Sequence, residues 1–240
     1  MHYYVYLPAG YAESGRRYAT LYMLHGRNTL GADRGSDTEW VTLGLPQTAD
    51  RLIAAGEMPP TVVVMPQGDA GYWMNHANGG PRYGDYTAKD VVAHIDATYR
   101  TVPDAAHRAV GGLSMGGHGA MQLAMNYPDT FAVVGVHSPT LRTFAGGGDS
   151  FGDAAHFAAH DPASLVRRYP ARARALKIFI DIGQQDGSWR DPTVALHDLL
   201  TAESVPHTFQ FFTGEHSKAY WQSHCAEYLR FYGANLASPE

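Results

Sequence analysis

Two stretches of this chain, Thr61-Val62-Val63-Val64-Met65 and Lys177-Ile178-Phe179-Ile180, are nearly unbroken runs of β-branched and apolar residues. A strand with one wet face alternates apolar and polar residues, so a run without alternation buries both faces. Such strands belong in the middle of a sheet, with helices above and below. Other short runs alternate with longer segments of helical apolar period. The pattern predicts strands over 3–7, 20–25, 61–66, 107–113, 132–137, 176–182 and 208–212. It predicts helices over 45–55, 86–99, 116–127, 162–168, 192–203 and 220–232. Strand–helix alternation implies an α/β fold, a mostly parallel central sheet with right-handed crossovers, flanked by helices. One such domain can absorb all 240 residues, 1–240, because large α/β domains run to about 200–250.

Charge removes several functions. Charged residues make up 17% of the chain, and the 18 Lys and Arg against 23 Asp and Glu leave a net charge of −5. No block of like charge is present, which argues against a surface that tracks nucleic-acid phosphates. Cys225 is the only cysteine, so neither an internal disulfide nor a thiolate zinc cluster can form. No apolar run reaches the ~18 residues needed to span a bilayer. The first residues lack a basic segment followed by an apolar one, and the compartment stays open, secretion after leader removal included. Segments 68–84 and 138–152 are rich in loop residues. The second holds Gly146-Gly147-Gly148-Asp149, which lacks the Lys-Ser/Thr of a phosphate loop and reads as a mobile surface loop.

The sharpest local signal is Gly112-Leu113-Ser114-Met115-Gly116-Gly117, between an apolar strand and a helical pattern. A serine on a tight strand-to-helix turn exposes its oxygen, and the helix points its positive end at that oxygen. Ser114 is therefore the candidate nucleophile. A hydroxyl needs a base, and in this arrangement an acid and then a histidine follow the serine in the chain. Of 13 histidines, His216 follows the strand over 208–212 and the turn Thr213-Gly214-Glu215, at the sheet edge where α/β sites form. His224 lies inside a helix, and His197 and His207 lie at the wrong ends of their elements. The acid should follow the preceding strand. Asp186 does so, Asp181 is inside the strand, and Asp191 reads as the cap of a helix beginning near Pro192. The oxyanion donors expected from the same geometry are the backbone N–H groups of Met115 and of Arg27, on the loop after the second strand. His25, before that loop, reads as a ligand for loop backbone. His156 and His160 have metal-like spacing but no evident third ligand, so they read as structural. Tyr72 and Trp73 either wall an acyl or aryl pocket or pack their own loop. Trp40 is a further pocket candidate, and Trp221 reads as core.

These residues resemble the esterase D-like α/β-hydrolases, the group that includes feruloyl and acetylxylan esterases, S-formylglutathione hydrolases, enterochelin-type esterases and mycolyltransferases. The resemblance runs through Tyr4-Val5-Tyr6-Leu7-Pro8, Leu21-Tyr22-Met23-Leu24-His25-Gly26, the Ser114 turn, Gly183-Gln184-Gln185-Asp186 and Gly214-Glu215-His216-Ser217. Asp85-Tyr86 and Phe151-Gly152-Asp153 also fit. It implies an α/β-hydrolase fold and a serine esterase that needs no cofactor or metal, with Ser114, Asp186 and His216 as triad. By family likeness the substrate is a small or carbohydrate-linked ester, a feruloyl or acetyl ester of plant polysaccharide first. The formylglutathione branch carries a cysteine in its early loop, and none follows Leu24-His25-Gly26 here. The chain also begins one strand later than many members, as if an N-terminal segment were missing. Acyl transfer to an alcohol, or a non-catalytic binding protein on the same scaffold, are the alternatives.

Overall fold

The computed structural model describes residues 2–27, 38–77, 79–146 and 149–238. Seven strands, β1 (Tyr3–Tyr6), β2 (Ala19–Leu24), β3 (Thr61–Pro66), β4 (Arg108–Ser114), β5 (Val133–Pro139), β6 (Lys177–Gly183) and β7 (His207–Phe212), form one sheet in the order β1-β3-β2-β4-β5-β6-β7. Only the β1–β3 pairing is antiparallel, and every other neighbour pair is parallel. This is the mostly parallel sheet expected, with all seven strands within two residues of their predicted ends.

The unbroken apolar runs do what their composition requires. Along β3, Val62 and Val64 enter the core on one face while Val63 and Met65 enter the other. Ile178 and Ile180 of β6 likewise oppose Phe179. Helices Val92–Thr98, Met115–Asn126, Pro162–Arg168 and Gly187–Ala202 cover the first face through Ile95, Leu123, Leu165 and Leu196. Helices Leu45–Ala54 and Lys218–Asn235 cover the second through Leu52 and Leu229. Each such side chain, fully withdrawn from water, contributes about 1.5–3 kcal/mol before entropy is counted.

One polar cluster interrupts the second core. Asp181, on β6, is completely buried and accepts hydrogen bonds from His137 Nδ1 (2.8 Å), Tyr220 (2.7 Å) and Tyr228 (3.0 Å). The Tyr232 hydroxyl meets His137 Nε2 at 2.8 Å. All three tyrosines belong to the last helix, so the cluster fastens that helix to β5 and β6. Gly111 and Gly135 make room, because a Cβ at either position would overlap the Tyr232 hydroxyl.

Helix ends differ most from expectation. The helix predicted over 192–203 begins at Gly187, with Pro192 inside it. Proline so near a helix N-terminus costs one backbone hydrogen bond and does not stop it. Asp191 is therefore not a cap; it is exposed and pairs with Arg190. The helix predicted over 86–99 starts at Tyr83 and passes through a π-helical turn, Tyr86–Val91, before Val92–Thr98. Gly147 and Gly148 of the expected mobile loop lie outside the described residues. Among the described residues, no helix is long and apolar enough to cross a membrane.

Candidate active site

The site forms where β4, β5, β6 and β7 end. Ser114 closes β4 with φ 55° and ψ −117°, a conformation L-residues seldom adopt, and helix Met115–Asn126 starts at the next residue. The turn is this tight because the backbone at Gly112 lies against Gly116, where a Cβ would come within 2.5 Å. A Cβ at Gly116 would in turn overlap the Leu24 carbonyl of β2. The side chain at 114 is thus thrust out at the helix N-terminus.

Two further loops meet it. The pairing of β6 with β7 extends past both strands: Gln184 N–H donates to Phe212 O, Gln185 N–H to Gly214 O, and Gly214 N–H to Gln185 Oε1. That zipper holds Asp186 beside His216. His216 Nδ1 lies 3.1 and 3.0 Å from the Asp186 oxygens, and its Nε2 lies 2.8 Å from Ser114 Oγ. With Nδ1–H donating to the carboxylate, Nε2 is left to accept from the serine. Asp186 is 2% exposed, so its charge acts on the imidazole through protein rather than through water. The structure therefore brings together the three residues expected as a triad.

The early loop is organised by His25. Gly68 N–H donates to its Nε2 (2.8 Å), which leaves Nδ1–H to donate to Gly26 O (2.7 Å). This is the loop-backbone role read for it. Gly26 N–H donates to Glu39 Oε2 at 2.7 Å. Arg27, the residue expected to supply an oxyanion donor, follows directly and is exposed. Met115, the other, is buried at the start of its helix.

The aromatic expectations divide. Trp40 has no exposed surface; its Nε1 donates to Leu24 O, and its ring meets His137 and Tyr228 edge-on in the core. Trp73, 1% exposed, is wedged against Gly119 and Gly68, and its Nε1 donates to His25 O. Neither presents a face to a ligand: of the two roles read for Trp73 the structure has the packing one, and the pocket wall expected of Trp40 is corrected to packing. Tyr72 is buried too, but its hydroxyl accepts from Arg142 Nε (2.5 Å). The Arg142 guanidinium sits 5.4 Å over both the Tyr72 and Trp189 rings, and Trp189 lies 6.4 Å from the His216 ring. Trp221, read as core, is buried and edge-on to His216 at 4.8 Å. His156 Nε2 donates to Asn75 O, His160 Nδ1 to His156 O and His118 Nε2 to His160 O. Those bonds seat the loop beside helix Met115–Asn126, the structural role read for the pair.

Two polar residues of the site carry no motif. Ser138, at the end of β5 with φ 43°, donates from Oγ to Asp186 Oδ2 and lies 3.1 Å from His216 Nδ1. Glu39 is half-buried beside the early loop, and burial raises its carboxyl above the ordinary range. Only the positive φ at Ser138 marks it, and backbone strain is not readable from sequence.

Comparisons with known proteins give the family and the fold. The family model described as "Putative esterase" matches residues 1–232. An esterase of Mycobacterium tuberculosis is 36% identical over 138 residues, 56% of this chain and 28% of that protein. A protein of Xylanibacter ruminicola named endo-1,4-beta-xylanase/feruloyl esterase is 31% identical over 147 residues, 56% of this chain and 19% of that protein. The chain thus spans less than a third of either relative. Among solved structures, a ferulic acid esterase superposes with a TM-score of 0.84 at 24% identity, covering 98% of this chain and 92% of that one. A fluorophosphonate-binding serine hydrolase of Staphylococcus aureus gives 0.79 at 22% identity, over 96% and 91%. These two likenesses carry the α/β-hydrolase fold.

Proposed function

This chain belongs to the esterase family, and we propose that it is a serine carboxylic-ester hydrolase working through an acyl-enzyme. The observation that carries the reading is the hydrogen-bonded line from Ser114 Oγ through His216 to Asp186, 2.8 Å at one end and 3.0 Å at the other. His216 Nε2 takes the serine proton as Oγ attacks the ester carbonyl. The oxyanion is met by the N–H groups of Met115 and Arg27. His216 then gives its proton to the departing alcohol. Water, deprotonated by the same imidazole, attacks the acyl-serine and releases the acid. Asp186 keeps Nδ1 protonated and balances the imidazolium in both halves.

The substrate we assign is a feruloyl or acetyl ester of a plant polysaccharide. Support comes from the names of the similar proteins, a ferulic acid esterase and a xylanase/feruloyl esterase. Locally, Trp189 beside His216 offers an aromatic surface to an aryl acyl group.

The test is a panel of acetyl, butyryl and octanoyl p-nitrophenyl esters with methyl ferulate, run on the parent protein and on Ser114→Ala. Turnover by the parent and its loss in the folded variant, by at least about 1,000-fold, is the expected result. Retained activity in Ser114→Ala sinks the mechanism. Turnover of acetyl esters without methyl ferulate narrows the substrate to acetyl groups. Product in which an added alcohol replaces water moves the reading to acyl transfer. No turnover of any ester, with no labelling of Ser114 by a fluorophosphonate, moves it to a binding protein.

A further inference from the structure

We propose that Glu39 is a positioning residue of this site: by accepting the Gly26 N–H, its side chain holds the loop that carries the Arg27 oxyanion donor. The inference rests on the esterase reading for its meaning in turnover.

Geometry comes first. Gly26 N–H donates to Glu39 Oε2 at 2.7 Å, one residue before Arg27. The same short segment is held from its other side by His25, through the His25 Nδ1–H to Gly26 O bond. A Cβ placed on Gly26 would lie 3.3 Å from Ser114 Cβ and 3.4 Å from Glu39 Oε2, so Gly26 packs against both the nucleophile's residue and the carboxylate. Glu39 also heads the short helix Glu39–Thr42, whose Trp40 is anchored in the core through Leu24 O. The carboxylate therefore stands on a rigid element, as a group that must aim a backbone donor should.

Charge comes second. Burial raises the Glu39 carboxyl, while the Gly26 N–H, Lys218 and His216 act against it.

The two effects separate by substitution. Glu39→Gln keeps an acceptor for Gly26 N–H and removes the charge. Glu39→Ala removes both. Glu39→Gln should keep kcat within about 3-fold of the parent, because the Gly26 N–H still has its acceptor. Glu39→Ala should lose about 10-fold in kcat, short of the ~100-fold loss on deleting an oxyanion donor outright. A kcat in Glu39→Gln as low as in Glu39→Ala overturns the proposal, as does unchanged kcat in Glu39→Ala. If the parent turns over no ester, the esterase reading fails, and hydrogen exchange at the Gly26 N–H still decides whether Glu39 holds the loop: exchange should be faster in Glu39→Ala than in the parent or Glu39→Gln, and equal rates overturn the proposal.

Discussion

His118 lies one turn into the helix that follows Ser114, and it has no exposed surface. Its ring is edge-on to Tyr72 at 5.0 Å and to Phe151 at 5.8 Å. Burial pushes its pKa down from 6.5 to about 4, and the nearby Asp161 charge offsets that only in part. The folded protein therefore keeps His118 neutral where the unfolded chain is already protonated. Between about pH 6.5 and about pH 4 the unfolded state binds more protons, so stability falls as pH falls through that window and levels off on either side. The gap of about 2.5 between 6.5 and 4 converts, at about 1.4 kcal/mol per pH unit, to roughly 3 kcal/mol. That is a large share of the ~5–15 kcal/mol that holds a typical domain together. Urea unfolding at steps from about pH 7 to about pH 4 measures the slope. Burial also holds down His160, His197 and His224, so the parent slope exceeds one residue's worth. His118→Gln keeps a donor for the His160 carbonyl and cannot titrate. It should be less stable at neutral pH and lose roughly 3 kcal/mol less on acidification than the parent. Equal losses in the two proteins would refute the reasoning.

Other consequences are as direct. Ser138→Ala removes a charge-assisted hydrogen bond to Asp186, and steady-state kinetics should show kcat down about 10-fold with KM within about 3-fold. An unchanged kcat would mean that Asp186 is held well enough by His216 alone. Tyr232→Phe strips His137 Nε2 of its 2.8 Å partner inside the core. It should cost about 2 kcal/mol, a drop of about 4–8 °C in Tm, while ester turnover is retained.

The legible parts of this chain were those written into local composition. Runs such as Thr61–Pro66 cannot be anything but covered strands, and strand ends together with chain order pointed to Asp186 and His216. Some readings that hung on a single residue failed. Pro192 drew the expected helix start five residues too late, because a proline near a helix N-terminus resembles one that begins it. Trp40 and Trp73 looked like exposed aromatics because each lies outside the apolar strand runs, in a segment that reads as loop or loop edge. Their neighbours in space are the core and Gly119, which only the folded chain supplies. Ser138 and Glu39 stayed invisible because each works through a partner distant in sequence, 48 residues away for Ser138 and 13 for Glu39. No spacing rule connects such pairs. The sheet order does, by setting the end of β5 beside the end of β6.

The buried cluster around Asp181 has a bearing on time. Ser114 and His216 are 102 residues apart, and the base stands on a loop whose downstream anchor is the last helix, pinned through Tyr220, Tyr228 and Tyr232. A chain emerging from the ribosome completes β4 and the Ser114 turn 102 residues before His216 is made. Until the final helix docks, Asp181 and His137 have no hydroxyl partners and the imidazole has no seat. Under the mechanism proposed above, Ser114 is thus built early and meets its base late, so a nascent chain carries the hydroxyl without the imidazole that would activate it.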